Sequence, residues 1–190
     1  MIRPLLLALP LLALAACKDE RAEIPQPVTM TAEAVGHFCQ MNMLEHPGPM
    51  AQVFLDGLPY PLFFSQVRDA VAYQRMPEQS HMIRIIYVSD MGAPDASWED
   101  PGADNWTLAA EAYYVAGSDV VGGMQAPEIV PFATRAAAEA FAARHGGEVL
   151  RLAEIPDALV LAPVEFEADI GAEDDADFED RLRALSGGEG

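Results

Sequence analysis

The chain has 190 residues, of which 51% are hydrophobic, and its formal net charge is −19. This length and hydrophobic content are sufficient for one packed domain or for two small lobes. The acidic balance excludes a nucleic-acid partner, because binding to phosphate groups requires a basic surface.

The first residues have the pattern of an export signal. Arg3 precedes an apolar run that is too short to span a bilayer. Small residues directly before Cys17 are similar to the bacterial lipobox, which predicts removal of residues 1–16 and lipid on the Cys17 thiol. By resemblance to the sorting rule of Gram-negative lipoproteins, the absence of Asp at the next position favours a periplasm-facing anchor in the outer membrane. Residues 17–29 are charged and contain prolines, so we expect a lipidated tether.

The first half of the folded region has the signals of a hairpin, a helix and a further strand. Asp56-Gly57 separates two apolar segments, which is typical of a hairpin turn. Apolar residues then recur at helical spacing, and a β-branched segment follows. We predict strands near 51–55 and 59–64, a helix that Ser65 caps and that ends before Pro77, and a strand over 81–89.

The second half begins after a long segment without periodicity. Residues 90–107 are rich in Gly, Pro, Asp, Ser and Trp, which predicts a loop of unusual length. We then predict strands over 109–116 and 128–132, a helix that Thr134 caps and that extends to about Arg144, and a strand over 148–152.

The two halves have similar sequences around their helices. Phe64 aligns with Phe132, and at the same offset Tyr73 aligns with Phe141. We therefore predict an α+β fold of two strand-strand-helix-strand repeats that form helix-covered sheets. The predicted domain covers 30–163, with repeats at about 30–90 and 108–153, and residues 164–190 form an acidic, largely disordered tail.

The segment 36–48 combines a thiol, thioethers and imidazoles. With Cys17 lipidated, Cys39 is the only free thiol of an exported chain, in which cysteines are normally paired. Cys39, Met41 and Met43 alternate, so their side chains would share one face of an extended segment. Thiolate and thioether ligands select Cu(I), so the segment predicts a copper site.

Further ligands are less directly indicated. Met124 lies among glycines in the loop that opens the second repeat, where a large apolar side chain is poorly explained as core, and we predict that it is a distant ligand. His37 and His46 can bind metals, but a histidine near a proline turn is usually solvated.

Two alternatives stay open at this point. The sulfur atoms can belong to the core of an assembly or docking lipoprotein that binds no metal. Alternatively, His37 and His46 can form a Zn(II) or Cu(II) site that does not need the thiol. The sequence contains no P-loop, dinucleotide fingerprint, Gly-x-Ser-x-Gly or Cys-x-x-Cys motif, so we expect no enzyme activity.

Over about residues 17–152 the chain resembles the NosL family, the nitrous oxide reductase accessory lipoproteins. The resemblance is carried by the lipobox and by the motifs Phe38-Cys39-Gln40-Met41, Gly117-Ser-Asp-Val-Val-Gly-Gly-Met124 and Val130-Pro-Phe132.

The resemblance implies a monomeric protein that delivers Cu(I) to nitrous oxide reductase apoprotein for its copper-sulfide centre. It implies Cys39, Met41 and Met124 as ligands, whereas the candidate Met43 is not so clearly part of the family's pattern. The family usually has Gly where this chain has Gln40, which puts the conformation of the loop in question.

Overall fold

The computed structural model describes residues 24–77, 79–163 and 182–183. The predicted signal peptide, Cys17, the first part of the tether and nearly all of the acidic tail lie outside these residues. The last part of the tether contacts the fold, because the Tyr87 hydroxyl donates to the Pro25 carbonyl and the Gln52 amide bonds the Val28 backbone.

Two antiparallel sheets form the centre of the structure. The elements of the first unit are β1 (Ala51–Leu55), β2 (Leu62–Phe64), α1 (Val67–Arg75), β3 (Ile83–Ser89) and β4 (Trp106–Leu108). The four strands form the first sheet in the order β2-β1-β3-β4, and helix α1 contacts β1 and β2.

The second sheet has three strands in the order β6-β5-β7. Its elements are β5 (Tyr113–Ala116), β6 (Val130–Phe132), α2 (Arg135–His145) and β7 (Glu148–Arg151). A C-terminal helix, α3 (Asp157–Leu161), follows, and two short 3-10 helices cover Met43–Glu45 and Leu152–Glu154.

The predicted strand-strand-helix-strand repeat is confirmed. In each unit the first strand is central, and the second and third strands pair with it from opposite sides. The equivalent residues Phe64 and Phe132 pair with Ala51 and Tyr113, each on the first strand of its unit. Only the first sheet is extended, by β4, which pairs with β3.

Several predicted boundaries change. Ser65 is not the helix cap, because Gln66 occupies that position and its side chain makes no capping hydrogen bond. Thr134 is the N-cap of α2, as predicted, and accepts a hydrogen bond from the Ala137 N–H. The predicted strand over 109–116 starts only at residue 113, since the Leu108 carbonyl accepts two hydrogen bonds in a turn before it. The predicted loop 90–107 ends earlier, where β4 begins.

One hydrophobic cluster includes residues of both units. Val53, Phe64 and Val71 from the first unit belong to the same buried cluster as Tyr114 and Ile129 from the second. A smaller buried cluster joins Met30, Ala34, Met43 and Met50 beside the first sheet. The two units therefore share a core. None of the helices in the described ranges is long and apolar enough to cross a membrane.

Candidate metal centre

Cys39 lies in a tight turn and not in the extended segment that the sequence predicts. The Gly36 N–H donates to the Met41 carbonyl and the Gln40 N–H to the Gly36 carbonyl, both at 2.9 Å. Gln40 has a φ of 57°, in the left-handed region that favours glycine. Its side-chain amide donates to the Gly36 and His37 carbonyls, which helps to hold this conformation. The structure thus shows how Gln40 adopts a turn for which glycine is the usual residue.

The two methionines that follow Cys39 have different environments. Met41 is 42% exposed, whereas Met43 is fully buried in the 3-10 helix that Asn42 caps. The prediction that Cys39, Met41 and Met43 alternate on one extended face is therefore wrong. Met43 still lies near the thiol, because a Cβ atom on Gly36 would clash with Cys39 Sγ and lie 3.5 Å from Met43 Sδ.

The Cys39 thiol is half-buried and has two polar neighbours. The Ser65 hydroxyl donates to Cys39 Sγ at 3.6 Å, and His46 Nε2 lies 3.9 Å from the same sulfur. Metal–sulfur and metal–nitrogen bonds are about 2.3 Å and about 2.0 Å long in protein zinc sites. The sulfur–nitrogen separation is therefore compatible with one metal ion bound by both side chains.

The two histidines of the segment differ, although the sequence favours a solvated position for both. His37 is exposed, and its ring contacts Phe38, Phe64 and Tyr73. His46 is only 8% exposed and faces Cys39. The expectation of a solvated histidine is thus wrong for His46.

A distant part of the chain packs against the segment that carries His46. The Gly48 N–H donates to the Trp98 carbonyl at 2.6 Å, and the Trp98 ring packs beside Gly48. The loop between β3 and β4 thus covers the segment that carries His46. The Pro47-Gly48 turn signals a change of chain direction, but no local pattern indicates this cover. The sequence around Ser65 predicts a helix cap, so nothing in it indicated that the Ser65 hydroxyl contacts the thiol.

The glycine-rich loop before β6 reaches this site from the second unit. A Cβ atom on Gly123 would lie 3.0 Å from His46 Cβ and 3.0 Å from the Pro47 carbonyl. Met124 is half-buried and next to Gly123, within a turn closed by the 2.8 Å hydrogen bond from the Gly122 N–H to the Ala126 carbonyl. The structure brings this loop to His46, and Met124 as a ligand stays a prediction.

Cysteine, histidine and carboxylate side chains do not by themselves form a metal-binding group of three within the part of the chain that the structure describes. The residues around Cys39 instead combine one thiol, one imidazole and the nearby thioether of Met43. This donor set suits a soft monovalent ion better than Zn(II), which prefers imidazole, carboxylate and several thiolates together.

The sequence profile of the NosL family matches residues 27–160, which include both units and the site around Cys39. This chain belongs to the NosL family. It is 56% identical to the "Copper-binding lipoprotein NosL" of Achromobacter cycloclastes over 184 residues, which are 97% of this chain and 95% of that protein. The protein of the same name from Stutzerimonas stutzeri is 33% identical over 144 residues, covering 75% of this chain and 73% of that protein.

A solved structure of the family has the same fold. The crystal structure of the copper chaperone NosL from Shewanella denitrificans matches with a TM-score of 0.65 and 29% sequence identity. The match covers 70% of this chain and 97% of that one. The α+β fold predicted from the sequence is thereby confirmed as the fold of a NosL protein.

Proposed function

We propose that this chain is a lipid-anchored metallochaperone that binds one Cu(I) ion at Cys39 and delivers it for assembly of the copper-sulfide centre of nitrous oxide reductase. The observation that carries the proposal is the half-buried thiol of Cys39, with His46 Nε2 at 3.9 Å and the Met124 loop against His46. Relatives named copper-binding lipoprotein and copper chaperone support the choice of copper.

Each candidate ligand has a distinct role in this proposal. Cys39 binds as a thiolate and His46 through Nε2, which already faces the sulfur. Met124 and Met41 supply thioether sulfur from two different loops. Met43 is the less certain ligand because it is fully buried in an apolar cluster. Sulfur and imidazole donors at low coordination number suit Cu(I) as a cargo that has to leave again.

Release of the ion requires that a recipient protein approaches the ligands. Cys39 is half-buried rather than enclosed, and four apolar side chains in or directly before the segment 36–48 are exposed. Transfer then proceeds by exchange of ligands between donor and recipient, without chemical turnover, so the proposed function is not enzymatic. These exposed side chains are Val35, Phe38, Met41 and Leu44.

The proposal includes the cellular location. We place lipid on Cys17 and the folded domain on the periplasmic side of the outer membrane of a Gram-negative bacterium. Two relatives named lipoproteins support the anchor. We propose that the protein is a monomer and that its copper recipient is nitrous oxide reductase apoprotein.

A Cu(I) titration of the reduced protein against a chromophoric Cu(I) chelator tests the site. We expect one ion per chain, and we expect Cys39→Ser to weaken binding by at least about a hundredfold, because a thiolate ligand is lost. Cys17→Ser is the matched control, since it removes the other cysteine and the lipid but leaves the site intact. Equal binding by Cys39→Ser and the unsubstituted protein would contradict the proposal.

One observation favours the alternative of an assembly lipoprotein without metal. Met30, Met43 and Met50 pack together as buried core, so methionine is used structurally in this chain. In that alternative, Cys39→Ser and Met124→Leu lower the melting temperature equally with and without Cu(I). In our proposal, Cu(I) raises the melting temperature of the unsubstituted protein and has a much smaller effect on Cys39→Ser.

A further inference from the structure

A buried carboxyl group connects the Met124 loop to helix α1. Glu128 is only 2% exposed and lies just before β6. Its Oε1 accepts hydrogen bonds from the Arg68 N–H at 3.0 Å and from the Ile129 N–H at 2.8 Å. The first bond joins the second unit to the first turn of α1 in the first unit.

The other oxygen of this carboxyl group faces the loop. Glu128 Oε2 is buried and has no hydrogen-bond partner among the described residues. A Cβ atom on Gly122 would lie 2.7 Å from Oε2 and would also clash with the side-chain amide of Gln66. The backbone of Gly122 is outside the left-handed region. Glycine is therefore required there only because there is no room for a side chain. The loop backbone thus packs directly against the carboxyl group.

Gln66 holds the same loop from the helix side. Its side chain is 1% exposed, and its amide donates to the Ala126 carbonyl at 3.4 Å. Ala126 also accepts the hydrogen bond from Gly122 that closes the loop. Ser65, the residue before Gln66, donates to Cys39 Sγ. The start of α1 therefore contacts both the thiol and the base of the loop.

We infer that Glu128 and Gln66 are positioning residues that fix the Met124 loop against His46 and thereby set the geometry of the copper site. This inference rests on the proposed copper function. The contacts form a continuous path, from the start of α1 through the carboxyl group to Gly122, and from Gly123 to His46. A loop that is rich in glycine has little order of its own, so its position has to come from such contacts.

The protonation state of Glu128 agrees with this role. Burial raises the pKa of Glu128 to about 8, against three backbone hydrogen bonds, from Arg68, Ile129 and Val67, that act to lower it. At neutral pH the carboxyl group is therefore mostly uncharged. A neutral oxygen can lie against the Gly122 backbone without the large desolvation cost of a buried charge.

The test compares Cu(I) affinity in three variants at a temperature well below unfolding. We expect Glu128→Ala to weaken Cu(I) binding by about tenfold or more, because the loop loses its support. Glu128→Gln keeps an uncharged group of the same shape and is expected to bind within about threefold of the unsubstituted protein. Val130→Ala is the matched control, since it leaves a cavity in the same stretch of chain but removes no hydrogen bond to the loop.

A double-mutant cycle identifies the positioning role. In our inference, Met124→Ala weakens binding much less in the Glu128→Ala background than alone, because the thioether is already misplaced. Gln66→Ala serves as a second variant if Glu128→Ala does not fold. In its background we also expect Met124→Ala to weaken binding much less than it does alone.

Cys39→Ser is measured in parallel to separate the two proposals. Binding that depends on Cys39 but is equal in Glu128→Ala and the unsubstituted protein would overturn the positioning role alone. An equal loss of Cu(I) affinity in Val130→Ala and Glu128→Ala would also overturn the positioning role. So would effects of the Glu128 and Met124 substitutions on Cu(I) affinity that simply add. Binding that does not depend on Cys39 would overturn the copper site, and the positioning role with it.

Discussion

Gly36 provides the space in which the Cys39 thiol lies. A Cβ atom at this position would clash with Cys39 Sγ and contact Met43 Sδ, and the backbone of Gly36 is not in the left-handed region. The absence of a side chain, rather than conformational freedom, is therefore what the turn requires.

We expect Gly36→Ala to displace the Cys39 thiol and to weaken Cu(I) binding by at least about tenfold. The titration against a Cu(I) chelator measures this affinity. Gly92→Ala is the matched control, because a Cβ atom there would lie 2.8 Å from the Cβ of Ala137, at a crowded position away from the thiol. We expect the control to lower thermal stability but to leave the affinity unchanged. Equal affinity of Gly36→Ala and the unsubstituted protein would contradict this view of the turn.

The two histidines offer a second test at the residue scale. His46→Gln removes the buried imidazole that faces Cys39, and we expect at least about tenfold weaker Cu(I) binding because a ligand is lost. His37→Phe keeps the aromatic packing against Phe64 and Tyr73, and we expect unchanged affinity. The same chelator competition measures both, and a larger loss from His37→Phe would show that the wrong histidine has been assigned.

At the scale of elements, the strands and helices were more predictable than the site between them. The hairpin signal at Asp56-Gly57 predicted β1 and the β-branched residues predicted β3, because both signals are local in sequence. The turn at Cys39 was not predicted, since a left-handed Gln40 depends on hydrogen bonds to carbonyls that only the folded turn presents. The burial of His46 depends on the loop of Gly123, which packs against its side chain and is distant in sequence, so no local pattern could reveal it.

The start of α1 and the Glu128 carboxyl group give a prediction about pH. The pKa of Glu128 is about 8 in the folded state and 4.5 in the reference state, so the unfolded chain releases this proton first. The contribution of Glu128 to stability is therefore fully present below about pH 4.5 and is lost as the pH rises to about 8.

Glu128→Gln removes this dependence. We expect the free energy of unfolding of the variant, relative to the unsubstituted protein, to rise from about pH 5 to about pH 8 by at most about 1.4 kcal/mol per pH unit. Urea unfolding at several pH values measures the difference, in which the titrating groups that do not interact with Glu128 cancel; the charge of Asp69, which raises the pKa of Glu128, does not cancel. A difference that is constant over this range would show that the carboxyl group is already ionised when the chain is folded.

At the scale of the whole molecule, the repeat was visible in the sequence because both units place an aromatic residue at the end of the second strand. Phe64 and Phe132 occupy the same place in their sheets. The contact of the Met124 loop with His46 was only partly predictable. The composition of the loop suggested a distant ligand, but its support by Glu128 depends on packing between the units.

The shared core predicts how the molecule unfolds. Because residues of both units belong to one buried cluster, we expect a single cooperative transition. Thermal melts followed by far-ultraviolet circular dichroism and by the fluorescence of Trp98 and Trp106 are expected to coincide. Two separate transitions would show that the units are stable independently of each other.

The central claim is that Cys39 holds a copper ion together with His46 and methionine sulfur. The most direct measurement is an X-ray absorption spectrum of the Cu(I)-loaded protein, which counts sulfur and nitrogen neighbours of the metal. We predict both sulfur and nitrogen at bonding distance, and fewer sulfur neighbours in Cys39→Ser. A spectrum with nitrogen and oxygen neighbours only, or one that Cys39→Ser leaves unchanged, would contradict the account.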